Sequence, residues 1–149
     1  FAASFALPFA VLAQHSESAL APVQLLGIAI AIAGLAIETT ADRQLAAHRR
    51  DPAQRGRTCR SGLWRLSRHP NYFGEWLVWC GIAALAWPAP HGEAALAAPI
   101  LMFVLVRFVS GVPFAEQQAL RSRGDDYRAY AAVTNAFFPW PRPDRGSTP

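Results

Sequence analysis

Thirteen of the fourteen arginines sit on two stretches of the chain, and that unevenness constrains its fold more than any single motif. Eight lie between 39 and 70: Arg43, Arg49, Arg50, Arg55, Arg57, Arg60, Arg65 and Arg68. Five follow Pro113: Arg121, Arg123, Arg128, Arg142 and Arg145. The stretches 14–21, QHSESALA, and 88–93, PAPHGE, hold none. Between them lie four apolar blocks, 1–13, 22–37, 73–87 and 94–112, the third interrupted by Glu75 and the fourth by Arg107. Basic and arginine-free connections therefore alternate. A soluble bundle has no reason to sort its charge by loop parity, whereas the positive-inside rule of membrane proteins does so.

A spanning helix needs about 20 apolar residues, with a range of about 17–25. The blocks sit at the lower edge of that range, so each needs its flanks. The expected fold is all-α: a polytopic transmembrane helical bundle with short amphipathic C-terminal helices, forming one integral-membrane domain over 1–149. The spans fall at 1–13 (partial), 22–38, 72–88 and 94–112, with a cytosolic loop at 39–70 and a cytosolic tail at 113–149. The chain starts at Phe1 inside an apolar block, and is expected to be the C-terminal part of a longer one. A signal peptide is a poor reading of 1–13, because no basic region precedes it.

Charged residues make up 16% of the chain, against about 25% in ordinary soluble domains, which agrees with a membrane setting. The formal net charge of +4 would also suit nucleic acid, but the arginines track topology, so no nucleic-acid partner is expected. Cys59 and Cys80 form no paired motif, and His15, His48, His69 and His91 lack zinc-ligand spacing, so no metal is expected. Glycine-rich phosphate loops, a nucleophile elbow and internal repeats are all missing from the sequence.

The chemistry gathers in RLSRHPNYFGEW, 65–76, at the mouth of the third block. Pro70 suits a first helical turn. Asn71, Tyr72, Glu75 and Trp79 then follow one stripe, since residues four apart share a helix face. A buried carboxylate needs a partner, and Arg107, on an antiparallel neighbour at similar depth, is the expected one for Glu75. With Glu38 closing the second helix and Glu116 opening the tail, the mouth collects Glu38, Asp42, Arg68, His69, Asn71, Tyr72, Glu75, Arg107 and Glu116. In the tail, Pro113 and Gly124 bracket one short helix and Asp125 or Asp126 can cap another, on which Tyr127 and Tyr130 share a face. FFPWP, 137–141, reads as an interfacial aromatic anchor.

GLWRLSRHPNYFGEWLVWCGIAALA, 62–86, resembles the C-terminal domain of steroid 5-alpha-reductases, and most closely a bacterial membrane branch of unknown function. Asn71-Tyr72, Gly74-Glu75, Trp79 and Gly81 carry the likeness, with SGVP at 110–113, YRAY at 127–130, FFPW, and ETTADRQ at 38–44. RHPNYFGE is also similar to the RHPxYxG element of isoprenylcysteine and phospholipid methyltransferases, whose pattern continues with a glutamate and a pair of tyrosines, as Glu116, Tyr127 and Tyr130 do here. The first resemblance implies NADPH and the second S-adenosylmethionine, in both cases held at the cytosolic mouth of a helical bundle. It implies a multi-pass protein of the bacterial inner membrane acting on a lipid-like small molecule among membrane lipids. The arginine-rich loop suits the several negative charges of NADPH better than zwitterionic S-adenosylmethionine. The expected cofactor-binding set is Arg65, Arg68, His69, Asn71, Tyr72, Glu75, Arg107, Glu116, Tyr127 and Tyr130, with no catalytic residue assigned. The expected activity is an NAD(P)H-dependent reduction of an unsaturated lipid or steroid-like enone. The alternatives are a methyltransferase and a non-catalytic membrane binding protein.

Overall fold

The computed structural model describes residues 2–13 and 20–141, so Arg142, Arg145 and most of the arginine-free stretch 14–21 lie outside the described residues. Every regular element among them is helical: α1 (Ala2–Leu12), α2 (Pro22–Arg50), α3 (Pro70–Ala86), α4 (Ala97–Val104), α5 (Gly111–Arg123) and α6 (Asp125–Val133). Short 3-10 turns occupy Pro52–Gln54, Gly62–Arg65 and Gly92–Leu96, and a wider π turn, Leu105–Val109, links α4 to α5. Two stretches, Pro22–Arg50 and Gly92–Arg123, are long and apolar enough to cross a membrane.

Pro22 and Pro70 open α2 and α3, where a missing N–H costs nothing and a fixed φ helps. At the start of α2, the Gln24 Oε1 accepts from the Ala21 N–H at 2.9 Å, and its Nε2 donates to the Leu85 carbonyl at 3.1 Å. This buried amide is thereby satisfied in an apolar setting where an unpaired one would be costly.

α2 and α3 pack through four glycines. Gly27 and Gly34 on α2 are seven residues apart, as are Gly74 and Gly81 on α3. A Cβ added at Gly34 would stand 2.6 Å from the Gly74 carbonyl oxygen, and one at Gly81 would stand 2.5 Å from that of Gly27. Such approach lets backbones touch, which is how helices associate where lipid supplies no hydrophobic drive. On the other side of α3, Trp79 meets Phe5 and Phe9 of α1 at ring separations of 4.8 and 6.4 Å. Trp76 packs on Phe103 of α4 and donates to the Pro99 carbonyl at 3.2 Å.

Three expectations need correction. The second helix does not end at Glu38; α2 continues to Arg50, because ADRQLAAHRR is rich in helix formers and sets Ala41 and Leu45 four apart toward Cys59 and Trp64. The tail helix begins at Gly111 rather than Pro113, and neither Asp125 nor Asp126 caps α6; both lie in its first turn. The fold divides the FFPWP stretch. Phe137 is buried among Phe73, Trp76 and Phe103, while Trp140 stays exposed.

Candidate functional site

The extension of α2 past residue 38 creates a wall that the loop 51–69 folds against. Trp64 anchors the loop by donating from Nε1 to the Ala41 carbonyl at 2.9 Å, and the Gln44 Oε1 accepts from the Leu63 N–H at 2.9 Å. The tail returns to the same loop. The Arg68 N–H donates to the Asn135 carbonyl at 2.8 Å, and the Ser67 hydroxyl to that of Phe137 at 2.7 Å. Tyr130, buried on α6, donates its hydroxyl toward the carbonyls of Trp64 and Ser67.

Loop, α2 extension, the start of α3, α5 and α6 line an open cavity of about 620 Å3, within the range of about 300–1,000 Å3 that ligand sites take. Arg49, Arg55, Arg57, Arg68 and Arg123 line it, with His48 and His69. Its described lining contains no carboxylate. Among the described residues, Arg49, Arg55, Arg57 and Arg123 form no ion pair. The Arg123 guanidinium lies over the Tyr127 ring at 5.6 Å, and its Nε is buried without a hydrogen-bond partner.

Of the ten residues expected to bind cofactor, Arg68, His69, Asn71, Tyr72, Tyr127 and Tyr130 meet on this lining. His69 precedes Pro70, and its ring stacks flat on Tyr72, with centroids 5.5 Å apart and planes within 6°. Its Nε2 lies 3.4 Å from the Glu116 Oε1. Glu116 stands behind the lining and holds both Arg68 and His69. Asn71 donates to the Asp42 carboxylate at 3.1 Å. Burial first, and then the Glu116 carboxylate, push the Tyr127 phenol up to about 12; burial also raises that of Tyr130. Both tyrosines are therefore neutral hydroxyls at physiological pH.

Arg68 is already committed. Its Nε and Nη2 bond the Glu116 Oε1 at 2.8 and 2.7 Å, and its Nη1 donates to the carbonyls of Ala131 and Thr134 at 2.8 and 2.9 Å. It clamps the tail onto the loop, so the free positive charge of the cavity comes from the other four arginines. Arg65 is exposed and does not line the cavity. The expected Glu75–Arg107 pair does not form. The carboxylates of Glu38 and Asp42 act on Glu75, Arg107 packs over the Phe108 ring at 5.0 Å, and neither Glu75 nor Arg107 lines the cavity. The reason is that α2, rather than the fourth apolar segment, packs along the glycine face of α3 beside Glu75.

His48, Arg49, Arg55, Arg57 and Arg123 were not among the sequence candidates. Their signal was present as arginine density, but density alone does not separate a topological charge from a ligand-facing one. The loop is held to the tail a second time where the Asp126 carboxylate accepts from the Thr58 N–H at 2.7 Å and from Arg60 at 2.8 Å. Hydrogen bonding from Thr58, with the Arg60 charge, holds the Asp126 carboxyl below its usual range.

A family model described as a protein of unknown function (DUF1295) matches residues 1–134. No curated protein and no solved structure matches the chain.

Proposed function

The chain belongs to the DUF1295 family, and we propose that it is a multi-pass bacterial inner-membrane reductase that uses NADPH to saturate a conjugated, lipid-like substrate. One observation carries this reading: beside the committed Arg68, the cavity presents four guanidinium groups without an ion pair among the described residues and two imidazoles, with no acid among its described lining residues. A wall of that kind is suited to a ligand with several negative charges, because guanidinium forks pair bidentately with phosphate. The pyrophosphate and 2′-phosphate of NADPH would fall to Arg49, Arg55, Arg57 and Arg123. When bound, that cofactor supplies a hydride. His69 and Tyr72 offer a flat stacked surface for a ring.

The resemblance of 62–86 to steroid 5-alpha-reductases supports the same chemistry. In this reading the lipid-like substrate enters from the apolar side of the bundle, with the arginine-bearing segments in the cytosol. S-adenosylmethionine fits less well, since its ammonium and sulfonium groups would meet guanidinium groups and no described carboxylate.

Titration of the detergent-solubilised protein with NADPH and with S-adenosylmethionine tests the reading. NADPH should bind, and Arg55→Gln and Arg57→Gln should each weaken it about tenfold, the effect of losing roughly 1.4 kcal/mol. Melting temperatures should hold, because neither residue makes an ion pair with a described residue. Binding of S-adenosylmethionine alone would replace the reductase with the methyltransferase.

A further inference from the structure

Arg107 is the one arginine inside an apolar block, and the structure separates it from the cavity. It follows α4 within the π turn Leu105–Val109, where the Ser110 N–H reaches back five residues to the Leu105 carbonyl at 2.7 Å. Such wide turns are rare and cluster at functional positions. Among the described residues the Arg107 guanidinium makes no hydrogen bond and no ion pair; it lies over the Phe108 ring at 5.0 Å. That ring is 61% exposed, so the guanidinium lies against a surface patch rather than a packed core. Ile100 and Val104, four residues apart on α4, share an exposed apolar stripe, and Phe108 and Phe114 are exposed beyond it.

The stripe runs along Gly92–Arg123, which is long and apolar enough to cross a membrane. A cation on such a face is costly unless an anion meets it. No described carboxylate does so, and a bilayer offers phosphate at that surface. We propose that Arg107 and the flanking apolar side chains form a binding site for the headgroup of an anionic phospholipid. The guanidinium takes the phosphate, Phe108 backs it, and Ile100 and Val104 lie along the acyl chains. A zwitterionic lipid carries its own ammonium beside the phosphate and gains less from Arg107. This site is separate from the basic cavity, and its occupancy does not depend on the cofactor reading.

The test is native mass spectrometry of the full chain in nonionic detergent, titrated with dioleoyl phosphatidylglycerol or dioleoyl phosphatidylcholine. The wild type should retain phosphatidylglycerol about tenfold more tightly than phosphatidylcholine, and Arg107→Gln should erase that preference. Arg107→Lys should keep only part of it, since an ammonium lacks the planar fork. Arg121→Gln, on the exposed tail, should leave it intact. The proposal is overturned if Arg107→Gln retains the wild-type preference, or if Arg121→Gln loses as much. It is equally overturned if millimolar inorganic phosphate displaces the lipid, because the ligand would then be a free anion. Should Arg107→Gln fail to fold, Phe108→Ala decides the matter: a lost preference upholds the site and an unchanged one overturns it.

Discussion

Arg68 shows how a side chain suited to a ligand can be consumed by the fold. Its guanidinium meets Glu116 and two tail carbonyls, with the side chain only 13% exposed. Removing it leaves the Glu116 carboxylate uncompensated beside His69, and breaking a buried pair in this way costs about 3–5 kcal/mol. Arg68→Ala should therefore lower the melting temperature, by about 2–4 °C per kcal/mol at this chain length. Proteolysis near 131–135 should become faster than in the wild type. Unchanged melting with lost nucleotide binding would instead make Arg68 a ligand residue. Asp126 adds a pH dependence. Its native pKa lies below the unfolded value of 3.8, so its contribution is present in full above that value and disappears as pH falls through the depressed native one. Asp126→Asn should melt lower at neutral pH and show a shallower acid-side decline; parallel curves for the two proteins would rule out a role for this carboxylate.

The α2–α3 pair illustrates two opposing effects at one position. Alanine is favoured over glycine inside a helix by about 1 kcal/mol. At Gly34, however, an added Cβ would sit 2.6 Å from the Gly74 carbonyl and 2.8 Å from the Val78 nitrogen, both backbone atoms that cannot swing aside. Overpacking of that kind costs about 1–3 kcal/mol, so Gly34→Ala should destabilise despite its better propensity. Ile32→Ala, on the exposed face of the same helix, should have little effect in detergent. A more stable Gly34→Ala protein would mean that the two helices can separate freely. The same contact places α3, and with it His69 and Tyr72, against the extended α2, so a shift between these helices should also disturb the cavity.

For the molecule as a whole, the proposed membrane topology makes one demand: 39–70 and the tail, which the structure packs together, share one side of the membrane. A chain with Cys59 and Cys80 replaced by serine, carrying Ser61→Cys or Glu93→Cys, checks this in intact cells. Both positions are exposed. An impermeant maleimide added from outside should label position 93 and spare position 61 until the membrane is opened. Labelling of both from outside would remove the proposed topology and with it the proposal of a cytosolic cofactor.

The sequence alone determined what periodicity and composition control. Apolar blocks of near-spanning length dictated an all-helical chain, and Pro70 marked a helix start because a ring-locked φ acts locally. The polar run 65–76 pointed to residues that do converge, since His69, Asn71 and Tyr72 lie within one turn of each other and Tyr127 and Tyr130 share a face of α6. Tertiary structure alone decided which charges meet. Arg68 found Glu116, 48 residues away, instead of remaining free, and Glu75 came to lie near Glu38 and Asp42 instead of Arg107. Spacing reports the face of one helix, whereas pairing depends on which neighbour the glycines admit to close contact. The cavity wall followed from the same cause: α2 had to run on to Arg50, and the tail had to fold back, before scattered arginines could surround one space.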